Sequence, residues 1–386
     1  MAFTGKTTFK GGKILPEIAE DVSDIVSIVS PYETPLLDII GDSRKTAFST
    51  YHEWMEDKPL PTSDKIDDPT IESNASRPSF RVFNPDRFRV GDIIRCHDNE
   101  ELMKVKTIDT AQRVLHLERG YGGTLGCDIE NGYVVRIISN PTIEGESGLA
   151  DRFSQRVRKG NWTQIFSAGI KISGSELAVR NLAVADELDY QKQERLRELL
   201  RSLENTVING IYNNAFPSGS STNARSMNGI IPSIKTNIFN SKTMISGNTN
   251  RELTEEKINL ALRKIWENSA GTVDTIVCNG VQKRKINSFI TSKRGYSPAD
   301  TNFRDMVSTY ESDFGICRVL LSRHVPENTV LLLDSSKLEV LPLSGRSFHY
   351  KSLAATGDYE AGEIIGEYTM EFRNEAAHGM INNLLV

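Results

Sequence analysis

The chain has 386 residues, is 38% hydrophobic and 25% charged, and carries a formal net charge of -5. This is globular composition, with enough apolar material for two or three domains. The acidic balance excludes a protein that grips nucleic acid with its whole surface, because such a surface would be basic.

The four cysteines, Cys96, Cys127, Cys278 and Cys317, form no CxxC pair and match no zinc module. Buried, reduced thiols are expected. The first residues have no apolar signal-peptide core, and no apolar run approaches the ~18 residues of a membrane span. A soluble protein without a membrane anchor is therefore expected.

In chain order, "LPEIAEDVSDIVSIVSPYETPLLDII" predicts a short amphipathic helix stopped at Pro31, and a second piece opened by Pro35. Neither is long enough to form a core alone, so residues 1–50 read as an N-terminal arm. Residues 51–90 are polar and turn-rich, with Pro59, Pro61, Pro69, Pro78 and Pro85. A loop this long is usually functional, here by reaching a neighbouring subunit. Residues 91–140 read as a small β-barrel whose strands are "VGDIIRC", "ELMKVKTID", "RVLHLERG" and "YVVRIIS". "RGYGGTLG" lacks the GxxxxGK[ST] pattern, and no helix follows it, so it is a turn between strands rather than a phosphate loop.

"DRFSQRVRKG" holds the densest basic cluster, Arg152, Arg156, Arg158 and Lys159. It is either a solvated face or a local contact with phosphate or an acidic surface. A strand-like run follows. Residues 182–214 then place Leu188, Leu196, Leu199, Leu200, Leu203, Val207, Ile208 and Ile211 at helical spacing. One helix of ~50 Å is expected there, as a structural spine. Residues 215–250 read as loop.

Residues 251–345 alternate helix and strand, which implies a sheet covered by helices. Thr254 caps a helix whose apolar face is Ile258, Leu262, Ile265 and Trp266, with Gly271 as its end. "TVDTIVCNG", "GICRVLLS", "TVLLLD" and "KLEVLPL" are strands, and "VQKRKINSFI" is a helix. The last strand, "EIIGEYTMEFRN", sets Tyr368, Met370 and Phe372 on one face and Glu367, Thr369 and Glu371 on the other.

Glu375 and His378 form a Glu-x-x-His pair, one half of a di-iron carboxylate site. No second such pair exists on a helical segment, and neither HExxH nor GxSxG occurs. Glu375 and His378 therefore read as hydrogen-bonding or salt-bridging residues where the last strand ends, near a subunit contact. An arm, a reaching loop and a spine without catalytic machinery point to assembly as the function.

The order of parts resembles the major capsid proteins of tailed double-stranded DNA phages with the Hong Kong 97-type fold, in a group with a β insert in the extended loop. The resemblance rests on "NWTQIFSAGIKISGSE", "ELDYQKQERLRELLRSLENTVINGIYN", "SMNGIIPSI", "DTIVCNGVQKRKINSFI" and "TVLLLDSSKLEVLPLSGRSFHYKSLAATGDYEAGEIIGEYTMEFRNEAAHGMI". It implies an α+β fold: arm at 1–50, extended loop at 51–90 and 141–175, and β insert at 91–140. It also implies a peripheral domain at 176–215 and 346–386, and an axial domain at 216–345. The implied function is an icosahedral shell around a phage genome, assembled in the host cytoplasm and retained in the virion. The implied partners are copies of the chain as pentamers and hexamers, a portal, a separate scaffolding protein, packaged DNA on the inner face and a decoration protein. No cofactor is implied. The alternatives are a tail or baseplate protein, and a metal-dependent enzyme using Glu375 and His378.

Overall fold

The computed structural model describes residues 34–41, 43, 45–57, 62–68, 77–96, 100–141, 144, 156–178, 187–245, 249–269, 271–293, 309–354 and 356–386. The expected arm helix before Pro31, and Arg152 of the basic cluster, lie outside the described residues. The chain divides into two units, residues 1–54 with 158–386, and residues 55–157.

In chain order the elements begin with α1 (Pro35–Ile40), β1 (Tyr51–Asp57), β2 (Ser63–Lys65), β3 (Ser79–Arg81), β4 (Ile93–Cys96), β5 (Leu102–Asp109), β6 (Val114–Glu118) and β7 (Val134–Ser139). Next come β8 (Arg156–Trp162), β9 (Gln164–Ser173), α2 (Gly174–Ala178), α3 (Glu187–Asn209), α4 (Ile230–Ser233), β10 (Ile238–Asn240), α5 (Glu255–Asn268), β11 (Thr275–Cys278) and α6 (Gly280–Lys293). The chain continues with β12 (Thr309–Ser312), β13 (Gly315–Leu321), β14 (Val330–Leu333), β15 (Leu338–Pro342), β16 (His349–Leu353), β17 (Tyr359–Phe372) and β18 (Gly379–Asn382). β1 and β8 pair as a two-stranded ribbon, and on these strands the chain passes from one unit to the other.

In the unit of residues 55–157, six strands run in the order β2-β7-β4-β5-β6-β3. The two edge strands then meet. Ile66 bridges Val82, Asp67 N donates to Arg81 O at 3.0 Å, and Phe83 N donates to Lys65 O at 3.2 Å. The sheet therefore closes on itself and leaves no free edge. Alternate residues, such as Leu115 and Leu117 on β6, Met103 and Val105 on β5, and Ile94 on β4, fill the interior. β4 to β7 follow the alternation read from the sequence. β2 and β3 come from the stretch expected to be loop, so the β unit begins well before residue 91. Their three residues each are too short to show a period. The "RGYGGTLG" turn wraps around a buried ion pair. Arg119 Nε and Nη2 each lie 2.6 Å from the Glu101 carboxylate, which also accepts from Gly120 N at 3.0 Å and Cys127 N at 2.8 Å. Burial alone would raise the Glu101 carboxyl, but these bonds outweigh it and hold it low.

In the other unit, β17 is the central strand of one sheet. It pairs with β9 along one side and with β15 and β16 along the other. α3 covers this sheet through Leu196, Leu199, Leu200, Leu203 and Val207, which pack with Phe166, Ile170, Ile364 and Met370. α3 has 23 residues and is about 35 Å long; it stops at Asn209, short of the expected 214, and residues 182–186 of the expected helix lie outside the described residues. The backbone explains the stop. Gly229 N donates to Gly210 O at 2.7 Å, and a Cβ on Gly229 would lie 2.6 Å from Gly210 N, so the two chain segments touch at their backbones.

A second, six-stranded sheet runs β10-β18-β14-β11-β13-β12. β11 and β14 are buried along their whole length because both faces are covered. Val277, Leu331 and Leu333 face the core under α3, while Ile276, Cys278, Val330 and Leu332 face α5. The division expected at residue 345 does not follow the sheets. β15 joins the sheet of β17, and β18 returns to the six-stranded sheet beside β10. β10 and α4 lie inside the stretch expected to be loop. Thr254 caps α5 as expected, accepting from Lys257 N. Gly271 is not the helix end, since Ser269 holds the C-cap position. A side chain on Gly271 would instead run into Ala377 Cβ. Trp266 is 61% exposed rather than in the core, with its ring 6.0 Å from Phe314.

Candidate assembly site along the closing strand

The polar face of β17 is buried. Glu367 accepts from Thr163 Oγ1 at 2.6 Å, pairs with Arg225, and lies 2.9 Å from Arg346 Nε. Two residues of the same parity further along the chain come to Glu371, which pairs with His52 Nε2 at 3.2 Å and Arg373 Nε at 2.6 Å. The His52 bond first, and Arg373 with it, outweigh burial and hold the Glu371 carboxyl down to about 2. Arg373 also reaches Glu339 at 2.6 Å, and Glu339 reaches Lys45 at 3.0 Å. Lys45, Glu339, Arg373 and Glu371 thus alternate in sign, with His52 bonded to the last of them, and together they fasten the chain entering β1 to β15 and β17.

Beyond the strand, Glu375 opens a single 3-10 turn. Its carboxylate accepts from Lys235 N at 2.7 Å, Thr236 N at 2.6 Å and Thr236 Oγ1 at 2.6 Å. Burial acts to raise this carboxyl, but the Thr236 and Lys235 bonds and the Lys159 charge lower it. His378 is 0% exposed. Asp334 N donates to its Nδ1 at 3.2 Å, so its Nε2 carries the hydrogen and donates to Arg373 O at 3.2 Å. Burial pushes the imidazole down to about 4, and its ring stacks on Phe372 with centroids 4.4 Å apart. The sequence placed Glu375 and His378 near a subunit contact. The His378 side chain is fully buried within its own chain. Glu375 is engaged by its own chain. Among the described residues no cluster of His, Cys, Asp and Glu could hold a metal ion, so the Glu-x-x-His pair joins no metal-ligand set there.

The described members of the basic cluster, Arg156, Arg158 and Lys159, do not form one patch. Arg156 and Arg158 lie on one face of β8 and are exposed, with Arg158 3.7 Å from Glu53. Lys159 lies on the opposite face, where its charge acts on Glu375. The side chains that meet the β17 carboxylates, Arg225, Arg346 and His52, were not singled out in the sequence, nor was Lys45, the partner of Glu339 on β15. The available signal was Glu363, Glu367, Glu371 and Glu375, four apart on a run whose even positions share a face. On a strand buried on both faces, such carboxylates require cations from elsewhere.

The family of the SU10 major capsid protein matches residues 2–385. The chain belongs to that family. It is a major capsid protein, a structural component of the phage icosahedral shell and of the virion, and not an enzyme. The tail, baseplate and metalloenzyme alternatives fall with this finding. Solved structures with similarity to this capsid protein include the SrpI encapsulin complex of Synechococcus elongatus PCC 7942, at 11% identity over 60% of this chain and 78% of that one, with a TM-score of 0.43. A chain of Microbacterium phage Oxtober96 is 13% identical over 83% of this chain and 93% of that one, TM-score 0.41. A chain of Mycobacterium phage Bobi is 15% identical over 62% and 79%, TM-score 0.39. No curated protein matches the chain.

Proposed function

We propose that this capsid protein builds its shell on the Hong Kong 97-type plan, as pentamers and hexamers of itself. Residues before 50 serve as the arm, 55–157 as an extended loop carrying a β-barrel, the sheet of β17 with α3 as the peripheral part, and the six-stranded sheet as the axial part. The supporting observation is that the chain leaves one unit on β1, closes a barrel with its own core, and returns on β8. A portal and a separate scaffolding protein are the assembly partners of this reading, and a decoration protein is a further one. Heterologous contacts of one surface with another, repeated around the shell, close it. Expression of the chain with a scaffolding protein, followed by negative-stain microscopy, tests the plan. Closed shells with five-fold and six-fold clusters are expected, and tubes or separate rings would refute it.

The exposed pair Arg156 and Arg158 is the surface offered to packaged DNA or to an acidic neighbour. Replacing both with Glu reverses the local charge and leaves the Lys159 contact untouched. DNA retention or shell yield is expected to fall. Particles of normal yield and DNA content would remove this role.

A further inference from the structure

The first turn of α1 is capped from elsewhere in the chain. A helix leaves its first N–H groups without intrahelical partners, and an N-cap side chain commonly accepts from one of them. Here the N-cap residue is Thr34, whose side chain makes no such bond, and Pro35 has no N–H to satisfy. The next two N–H groups, of Leu36 and Leu37, both bond to the Glu204 carboxylate, with Leu37 N 3.3 Å from Oε2. Glu204 sits on α3, 167 positions away, and is 0% exposed. Its Oε1 lies 3.4 Å from the Ser322 hydroxyl, just past β13. Leu36 is buried in the same core as Leu200 and Leu203, so α1 is part of what keeps water from this carboxylate.

We propose that Glu204 is the positioning residue that latches residues 34–41, the root of the N-terminal segment, to the spine helix, and that the latch grips when the carboxyl carries a proton. A protonated carboxyl satisfies both neighbours, since its carbonyl oxygen accepts the α1 N–H groups and its hydroxyl donates to Ser322 Oγ. The ionised form keeps those dipoles but sits buried, and the charge that faces it from α1 is Asp38, of the same sign. Of the other charged or titratable groups on these elements, Arg201 on α3 and Arg323 beside Ser322 are exposed. His324 is held below its ordinary value by burial and those two arginines. Burial raises the Glu204 carboxyl from 4.5 to about 7, against the lowering bonds from Leu37, Leu36 and Ser322. Undocking α1 admits water and returns the group toward its ordinary value. Docking is therefore tightest at and below pH 4.5 and weakens as pH rises through about 7. With tenfold per pH unit, the change is at most about 300-fold.

Hydrogen exchange at the Leu36 and Leu37 amides of the full-length chain, kept as unassembled subunits, tests this between about pH 5 and about pH 9. After correction for intrinsic exchange, protection in the unaltered chain is expected to fall at least tenfold over that range. Glu204→Gln keeps both hydrogen bonds without a titrating proton, so its protection should not change with pH. Glu204→Ala should leave both amides unprotected at every pH while Val277 and Leu331 in the six-stranded sheet stay protected. A flat profile in the unaltered chain, a Gln variant that follows it, or an Ala variant that stays protected overturns the latch. The assay reads a contact within one chain, so its outcome is independent of whether the arm crosses to a neighbour.

Discussion

Glu367→Ala removes the carboxylate at the centre of the most enclosed charge cluster on β17. Three groups lose a partner. Thr163 loses the acceptor 2.6 Å away, and its side chain is fully buried. Arg225 is 17% exposed and would be left as an unpaired charge, close to buried. Arg346 is 41% exposed and would rehydrate. Removing one member of a buried ion pair costs about 3–5 kcal/mol. Rehydration of Arg346 moves the expected loss to the lower end, about 3 kcal/mol. Glu367→Gln keeps an acceptor for Thr163 and loses only the charge, so roughly half that loss is expected. Urea unfolding of unassembled subunits, followed by tryptophan fluorescence, measures both. Trp162 is a local probe because its carbonyl accepts from Thr369 on the same strand. A loss below about 1 kcal/mol for the alanine variant would mean that the cluster is as weak as a surface pair, and the reasoning would fail.

His378 supplies a pH dependence of its own. Its folded value is depressed from 6.5 to about 4, so its contribution is complete above pH 6.5 and is lost as pH falls through about 4. Subunit stability should decline across that window by ~1.4 kcal/mol per pH unit at most from this group. His378→Phe, which keeps the stacking on Phe372, should remove that part of the slope in unfolding titrations. An unchanged slope would assign it to other groups. Gly271→Ala should destabilise the subunit by about 1–3 kcal/mol through the collision with Ala377. Gly271→Ala combined with Ala377→Gly should recover most of that loss in the same unfolding assay, whereas an unrelieved loss would place the strain elsewhere.

The parts of the fold legible in the sequence are those whose signal is local. β4 to β7 alternate, and α3 repeats leucines at helical spacing. β11 and β14 are continuous apolar runs because a core lies on each face. The missed elements owe their structure to distant partners. β10 is three residues in a Ser, Thr and Asn-rich stretch, and it is a strand because Ile238 to Asn240 lie beside Met380 to Asn382. Gly271 looked like a helix terminator because glycine often is one, but its role is close packing against a residue more than 100 positions later. Trp266 fits the apolar stripe of α5, yet its ring lies at the margin of that stripe, beside Phe314 at the surface. Glu375 and His378 were visible as a motif. What they do depended on Thr236, Lys235, Asp334 and Arg373, and nothing in their spacing names those residues.

The carboxylates of β17 are better understood as setting register than as adding stability. A buried ion pair replaced by apolar side chains of similar volume is often neutral or stabilising, so Glu367 and Glu371 are poorly explained as a source of strength. Their effect on alternatives is larger. A slip of β17 by one residue would turn both carboxylates toward Phe166 and Phe348, and would turn Tyr368, Met370 and Phe372 toward Arg225 and Arg346. A slip by two would keep the faces but part each carboxylate from its cation. Both leave buried charges unpaired, at several kcal/mol each. A subunit that must offer the same surfaces to many neighbours gains from a strand with one permitted register. The Glu367→Ala variant reads this as well. If the charges set register, amide protection should fall along the whole of Tyr359–Phe372. A loss confined to the amides beside residue 367 would show that apolar packing alone sets the strand.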